Sequence, residues 1–387
     1  MNSWNKNLIF DNKTASSIKP LEGILVIDFS QFLSGPSAGL RLADLGARVI
    51  KIERPDSGDI CRTLYISNVE LDGDSSIFHA INRNKDSFGA DLKHQTDIDR
   101  IKELIKQADV IIQNFRPGVM ERLGLDYQHV KRLNPGVVYA EITGYGSVGP
   151  WVEAPGQDLL VQSRSGLTWL AAPNQKPAPF GLAIVDMAAG VHLAQGILAA
   201  LVQKSITGVG AHIEVSLLES ILDFQFRELT EFLNRENQSF KKLGGLGRSI
   251  QGIYQTADGY LALTALSLES LREWIGEFQP TVESLEIGQM LSSLLKTKTS
   301  QEWISQLSPP DLYCEEVLPW DELFKEEGFK MLDMIQKITR TNGHSILTTR
   351  CPITIDGQIY KSEKGSPKVG ETTNQILNEL LQKKEEV

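Results

Sequence analysis

Over the first 150 residues, short apolar runs alternate with stretches in which apolar residues recur every three or four positions. Ile24–Phe29 (ILVIDF) is a continuous apolar run of the kind that forms a strand covered on both faces, and Arg48–Glu53 (RVIKIE) reads as the next strand. Between them, SAGLRLADLGA follows Gly35-Pro36-Ser37 and places Leu42 and Leu45 on one helical side, with Gly46 near its end. The unit repeats. Thr96 with Asp99 predicts a capping box ahead of Ile98, Ile101 and Ile105, and Asp109–Phe115 (DVIIQNF) and Val137–Gly146 (VVYAEITGYG) supply two more strands. Such alternation implies right-handed crossovers and an open, mostly parallel sheet, with ligands bound beyond the carboxyl ends of its strands. The segments at those ends are SQFLSGP, RPDSGD, NFRPG and TGYGSVGP, rich in the glycine, proline and polar residues of functional loops.

Farther on, IVDMAAGVHLAQGILAA opens one long helix from Asp186 to about Lys204. The turn TGVG, the strand HIEVSL and the helix LESILDFQFRELTEFLNR follow. A glycine cluster at 244–248 (GGLGR) marks a change, and Asp258-Gly259 predicts a turn between two strand-like runs. The expected organisation is an N-terminal extension (1–18), a large Rossmann-like domain with an open parallel sheet (19–224), a smaller α+β domain (225–325) and a segment returning to the large domain (326–387). The fold class is therefore α/β.

Composition narrows the function. The 387 residues are 41% hydrophobic and 23% charged, as in an ordinary globular protein. No apolar run is expected to cross a membrane, and Leu8-Ile9-Phe10 is too short for a signal-peptide core. A formal net charge of −10 disfavours non-specific binding to nucleic acid or anionic lipid. Cys61, Cys314 and Cys351 are far apart, which argues against a disulfide framework or zinc site and for a reducing cytoplasm. The six histidines form no HExxH-like metal pattern.

Several stretches together resemble the class III CoA-transferases, which include formyl-CoA transferase and also alpha-methylacyl-CoA racemase. They are LEGILVIDFSQFLSGPSAGLRLADLGARVIKIERPDSGD, NRNKDSFGADLK, IIQNFRPGVMERLGLDY, LNPGVVYAEITGYG, QDLLVQSRSGL, DMAAGVHLAQGILAAL, TGVGAHIEVSLLES, TADGYLALTAL and SPKVGETTNQIL. The resemblance implies acyl-CoA and a carboxylic acid as substrates, no tightly bound cofactor or metal, and an interlocked homodimer. On an acidic protein, the CoA phosphates need a local cluster of cations. The resemblance singles out Arg54 and Arg122 as phosphate or adenine contacts and Asn114 and Phe115 as the wall along the CoA, with Arg83, Lys85 and Arg116 as secondary candidates. Each arginine has an alternative as a plain surface charge, and Phe115 as core. Gln31 and Phe32 are expected at the thioester, Gln31 as an oxyanion donor, and Tyr145 in the acyl pocket.

Asp186 carries two readings. A carboxylate at a helix start suits an N-cap, worth ~1 kcal/mol. The resemblance makes it the nucleophile, which attacks the thioester to form a mixed anhydride. Ala188, Ala189 and Gly190 permit close approach of backbone to ligand or to a neighbouring helix. His192 is read as structural, and the 244–248 tract as a lid or an interdomain hinge. The racemase alternative needs two acid/base groups. The racemases place a histidine in GHD where this chain has Gln157 in PGQD, and glutamine cannot exchange a proton, so transfer is favoured. A non-catalytic CoA-binding partner subunit is the third reading, against which Asp186 weighs.

Overall fold

The computed structural model describes residues 18–66, 68–171, 176–234, 251–265, 271, 274, 287–306 and 312–385. The glycine tract at 244–248, and with it the lid-or-hinge question, lies outside the described residues, as do residues 1–17. Contacts divide the chain into one unit of Met1–Thr230 with Met334–Val387 and a second of Glu231–Asp333.

The first unit is built on β1 (Leu25–Asp28), α1 (Ser34–Asp44), β2 (Arg48–Glu53), α2 (Ser76–Asn82), β3 (Asp86–Gly89), α3 (Gln95–Ile105), β4 (Val110–Gln113), α4 (Val119–Leu123), α5 (Tyr127–Leu133), β5 (Val138–Thr143), α6 (Asp158–Arg164), α7 (Ile184–Thr207), β6 (Ala211–Ser216) and α8 (Leu217–Phe224). Six parallel strands run β3-β2-β1-β4-β5-β6. The chain moves outward from β1 through β2 to β3, then returns to the other side of β1 for β4. That reversal opens a crevice at the carboxyl ends of β1 and β4.

Both sheet faces are covered, which explains why the strands read as unbroken apolar runs. Val26, Val49, Val110 and Val138 join α1, α7 and α8 in one core. Their neighbours Ile27, Ile50, Ile111 and Tyr139 point the other way, into a second core with α3 and with Ile376 and Leu380 of α9 (Thr373–Glu385). The predicted capping box does not form: α3 has His94 at its N-cap, and Thr96 falls within its first turn. The single helix expected after β6 is broken at Gln225, with a further helix from Phe226 to Asn234.

The helix α7 is 24 residues long, and an 18-residue window of it has mean hydropathy 1.6, apolar enough to cross a membrane by length and composition alone. Here it is the central core helix, packed on α1, α8, β5 and β6. The second unit has a three-stranded antiparallel sheet of Leu312–Glu316, Tyr260–Ala265 and Gln251–Gln255, in that order. Its predicted turn at Asp258-Gly259 forms, tied by Thr256 N–H to the Gly259 carbonyl at 2.9 Å. Leu261, Leu263, Trp274, Leu291 and Trp303 fill its core.

Candidate active site

The loop leaving β1 enters the crevice. Gln31 N–H donates to Asn114 Oδ1 at 2.8 Å, and Asn114 Nδ2 donates back to the Gln31 carbonyl at 2.7 Å. A side-chain amide thus continues the sheet's pairing across the switch point, from the loop after β4 to the loop after β1. The Gln31 amide itself has no hydrogen-bond partner among the described residues. Phe32 adopts a left-handed backbone (φ 63°), rare for a bulky residue, and its ring is 44% exposed. Its N–H donates to Asp59 Oδ1 at 3.2 Å. Phe115 packs its ring on the α3-side core, and its N–H is held by Gln113 Oε1 at 2.8 Å.

Asp186 is not the N-cap of α7. Ala183 occupies that place without a side-chain cap, and Asp186 lies in the first turn. The capping carboxylate comes from another helix: Asp158 Oδ2 accepts the N–H groups of Val185 (2.9 Å) and Asp186 (3.0 Å). Gln162 Nε2 holds the other Asp158 oxygen at 2.6 Å. Asp158 is brought there by an unusual backbone contact. A Cβ on Gly156 would stand 2.5 Å from the Gly144 Cα, so the loop after β5 and the entry to α6 touch through two glycines. Ser34, at the start of α1, hydrogen-bonds the Asp186 carboxyl. Burial, and then the charge of Asp158, push the Asp186 pKa up to about 7, while the Ser34 hydrogen bond pulls it down. Asp158 and Ser34 are the functional candidates that the sequence reading missed. Nothing in their spacing links them to Asp186.

The candidate cations separate into two groups. Arg54 follows β2, Arg116 follows β4, and Arg122 lies on α4. All three are exposed and have no ion-pair partner among the described residues. Arg83 and Lys85 are corrected. Arg83 is buried and pairs with Asp44 at 2.9 Å, and Lys85 is buried and pairs with Asp28 at 2.9 Å, so neither is open to a phosphate. Tyr145 stands edge-on to Trp151 (6.0 Å), with the Arg164 guanidinium over both rings, and its hydroxyl donates to the Pro155 carbonyl at 3.3 Å. Gln157 is exposed and immediately precedes Asp158. His192 faces Asp223 at 3.3 Å and Phe224, away from this chemistry. Gly190 serves helix packing, since a Cβ there would meet Ser37 Oγ at 2.1 Å.

One further cluster, Glu141, His212 and Glu214, has donors suited to a metal. Its imidazole stacks on Tyr127 and turns Nε2 to Glu141 (3.1 Å) and Nδ1 towards Glu214 (4.0 Å). One ring between two carboxylates shares their charge, and burial notwithstanding, Glu141 and Glu214 raise the His212 pKa.

Residues 21–373 match CoA-transferase family III. This chain belongs to that family. A succinate–glutarate CoA-transferase of Agrobacterium fabrum is 30% identical over 390 residues, 93% of this chain and 96% of that protein. A probable fatty acyl-CoA transferase of Mycobacterium tuberculosis is 30% identical over 366 residues, 88% of this chain and 92% of that one. Among solved structures, a CaiB/BaiF family protein from Brucella suis superposes with a TM-score of 0.80 at 29% identity, covering 94% of this chain and 99% of that one. As a family III CoA-transferase, the protein acts on CoA thioesters and carboxylic acids, and its α/β fold is that of its relatives.

Proposed function

We propose that this CoA-transferase moves CoA from an acyl-CoA to a free carboxylic acid through covalent chemistry at Asp186. The observation that carries the reading is the setting of that carboxylate. It is half-buried at the mouth of α7, held by Ser34, and its own N–H is fixed by Asp158. A carboxylate with a raised pKa is the stronger nucleophile, and with its pKa at about 7 roughly half of it is ionised at neutral pH.

Asp186 attacks the thioester carbonyl, the C–S bond breaks, and CoA leaves as a thiolate, giving a mixed anhydride. The thiolate attacks the aspartyl carbonyl, releasing the donor acid and leaving an aspartyl-CoA thioester. The acceptor carboxylate then attacks that carbonyl and expels the thiolate. The thiolate takes the new acyl group and frees Asp186. The Gln31 amide, without another partner among the described residues, is assigned to the developing oxyanion, a contact worth ~3–4 kcal/mol. Arg54 and Arg122 hold the nucleotide phosphates, Asn114 and Phe115 flank the CoA, and Phe32 and Tyr145 line the acyl side. Gln157 supports transfer over racemisation.

The reading includes a homodimer. Leu182 (67% exposed), Val202 (61%) and Ile206 (70%) leave apolar surface on the first unit, of the kind that subunit contact covers. The three free thiols fit a reducing cytoplasm. The similar succinate–glutarate enzyme makes succinyl-CoA with glutarate the first donor–acceptor pair to try, within a wider screen read by mass spectrometry. Mixing with donor and trapping with hydroxylamine or borohydride should label position 186. Brisk product formation with an unlabelled peptide there would sink the mechanism.

A further inference from the structure

We infer that Lys51 and Asp59, a buried ion pair beneath the sheet's carboxyl edge, are positioning residues that clamp the thioester loop and so aim Gln31. The inference rests on the reading that Gln31 meets the oxyanion.

After β1, three consecutive residues have their backbone groups tied by side chains from elsewhere. Ser30 N–H donates to Asp28 Oδ1 at 3.0 Å, and the Ser30 carbonyl accepts from Lys51 Nζ at 2.7 Å. Both backbone groups of Gln31 are taken by Asn114. Phe32 N–H goes to Asp59 Oδ1, which also accepts the Cys61 N–H at 2.9 Å. Lys51 Nζ and Asp59 Oδ2 stand 2.8 Å apart, with side chains 0% and 1% exposed. Asp59 is itself anchored, its N–H donating to Glu53 Oε1 at 3.0 Å.

This wiring is more than a core needs. Well-packed apolar residues of similar volume are commonly as stabilising as a buried ion pair. What an apolar pair cannot do is hold a carbonyl and an N–H two residues apart while Phe32 stays left-handed. Catalytic donors require such fixed supports. Burial alone would lower the Lys51 pKa, but Asp59, Asp28 and Glu53 outweigh it and raise it, so the ammonium that grips Ser30 keeps its proton.

The test is a double-mutant cycle on the full-length enzyme, using the fastest pair from the screen and starting with succinyl-CoA and glutarate. Gln31→Ala should lower kcat about 100-fold, and Lys51→Met at least about 10-fold, with KM for the acyl-CoA within about threefold of wild type. The double variant should be no slower than the slower single variant, because both changes disable one device. Asp59→Asn can keep Oδ1 on the Phe32 N–H only by setting its amide NH2 against the Lys51 ammonium, so it and Asp59→Ala should both lower kcat at least about 10-fold, with KM for the acyl-CoA within about threefold. Wild-type turnover by Lys51→Met or by Asp59→Asn, or multiplicative losses in the double variant, would each overturn the inference. Should Lys51→Met not fold, the two Asp59 variants decide alone. Normal turnover by Gln31→Ala would instead remove the reading of Gln31, and the clamp's purpose with it.

Discussion

At the scale of single residues, Asp186 shows how a functional carboxylate is kept at a cost to stability. Its pKa rises from an unfolded value near 4 to about 7 because burial and Asp158 both oppose ionisation. The folded protein therefore holds a proton that the unfolded chain has lost between those values. The stability it contributes is fully present below about pH 4 and is lost as pH rises through about 7. Asp186→Asn should abolish transfer while retaining CoA binding. It should also melt higher than wild type at pH 8 but not at pH 4, by an equivalent on the order of 4 kcal/mol at most, measured by calorimetry at both pH values. Turnover of the wild type should rise with pH through about 7 as Asp186 ionises. Asp158→Asn removes the like charge but leaves an oxygen to accept the two N–H groups. The inflection in its pH–rate profile should move to more acid pH, and an unmoved inflection would show that Asp158 does not set it. The importance of Asp186 was legible because of its motif. Asp158 was not, since a carboxylate 28 residues away along the chain becomes a cap only when two glycines let the loops touch.

At the scale of elements, periodicity placed the strands and most helices correctly, and it erred where a neighbour decides. The capping box at Thr96 and Asp99 satisfied a local rule, yet the helix starts earlier, with Asp97 accepting the Asp91 N–H at 3.0 Å. The helix α7 read as a plain apolar run, and its small residues gave no sign of which partner they meet. The answer is α1: a Cβ at Gly190 would also lie 2.8 Å from the Ser34 carbonyl. The two helices that flank the nucleophile are thus locked through this glycine. Gly190→Ala should destabilise by about 1–3 kcal/mol through overpacking, read by urea denaturation, and should slow transfer by shifting Ser34 from Asp186. Adding Ser37→Ala should recover part of the stability, because it removes the nearer clash.

At the scale of the whole molecule, the order of the sheet gathers residues distant in sequence. β2 and β4 each neighbour β1, so their carboxyl ends lie roughly 10 Å apart. Arg54 directly follows β2 and Arg122 lies on α4, the first helix after β4, and neither has an ion-pair partner among the described residues. Arg54→Gln with Arg122→Gln should raise KM for acyl-CoA about 10-fold or more, flatten its salt dependence and leave kcat within a few-fold. Steady-state kinetics at two ionic strengths would check this. The apolar surface on the first unit belongs to the same scale. Light scattering should give twice the 42.9 kDa chain mass, and a monomer at assay concentration would remove the dimer from the reading.

The sequence by itself determined the alternating α/β pattern, the two-sided burial of the strands and the family, because these follow from local periodicity and from motifs read in order. Only the tertiary structure decided which charges are free and which are spent. Arg83, Lys85, Arg54 and Arg122 look alike in the chain, yet two are sealed against Asp44 and Asp28 while two remain open. It alone joined Asp158 and Ser34 to Asp186, and Lys51 and Asp59 to the loop before α1. The physical reason is that burial and pairing depend on distances across the fold, and a residue's own neighbours in sequence do not set them.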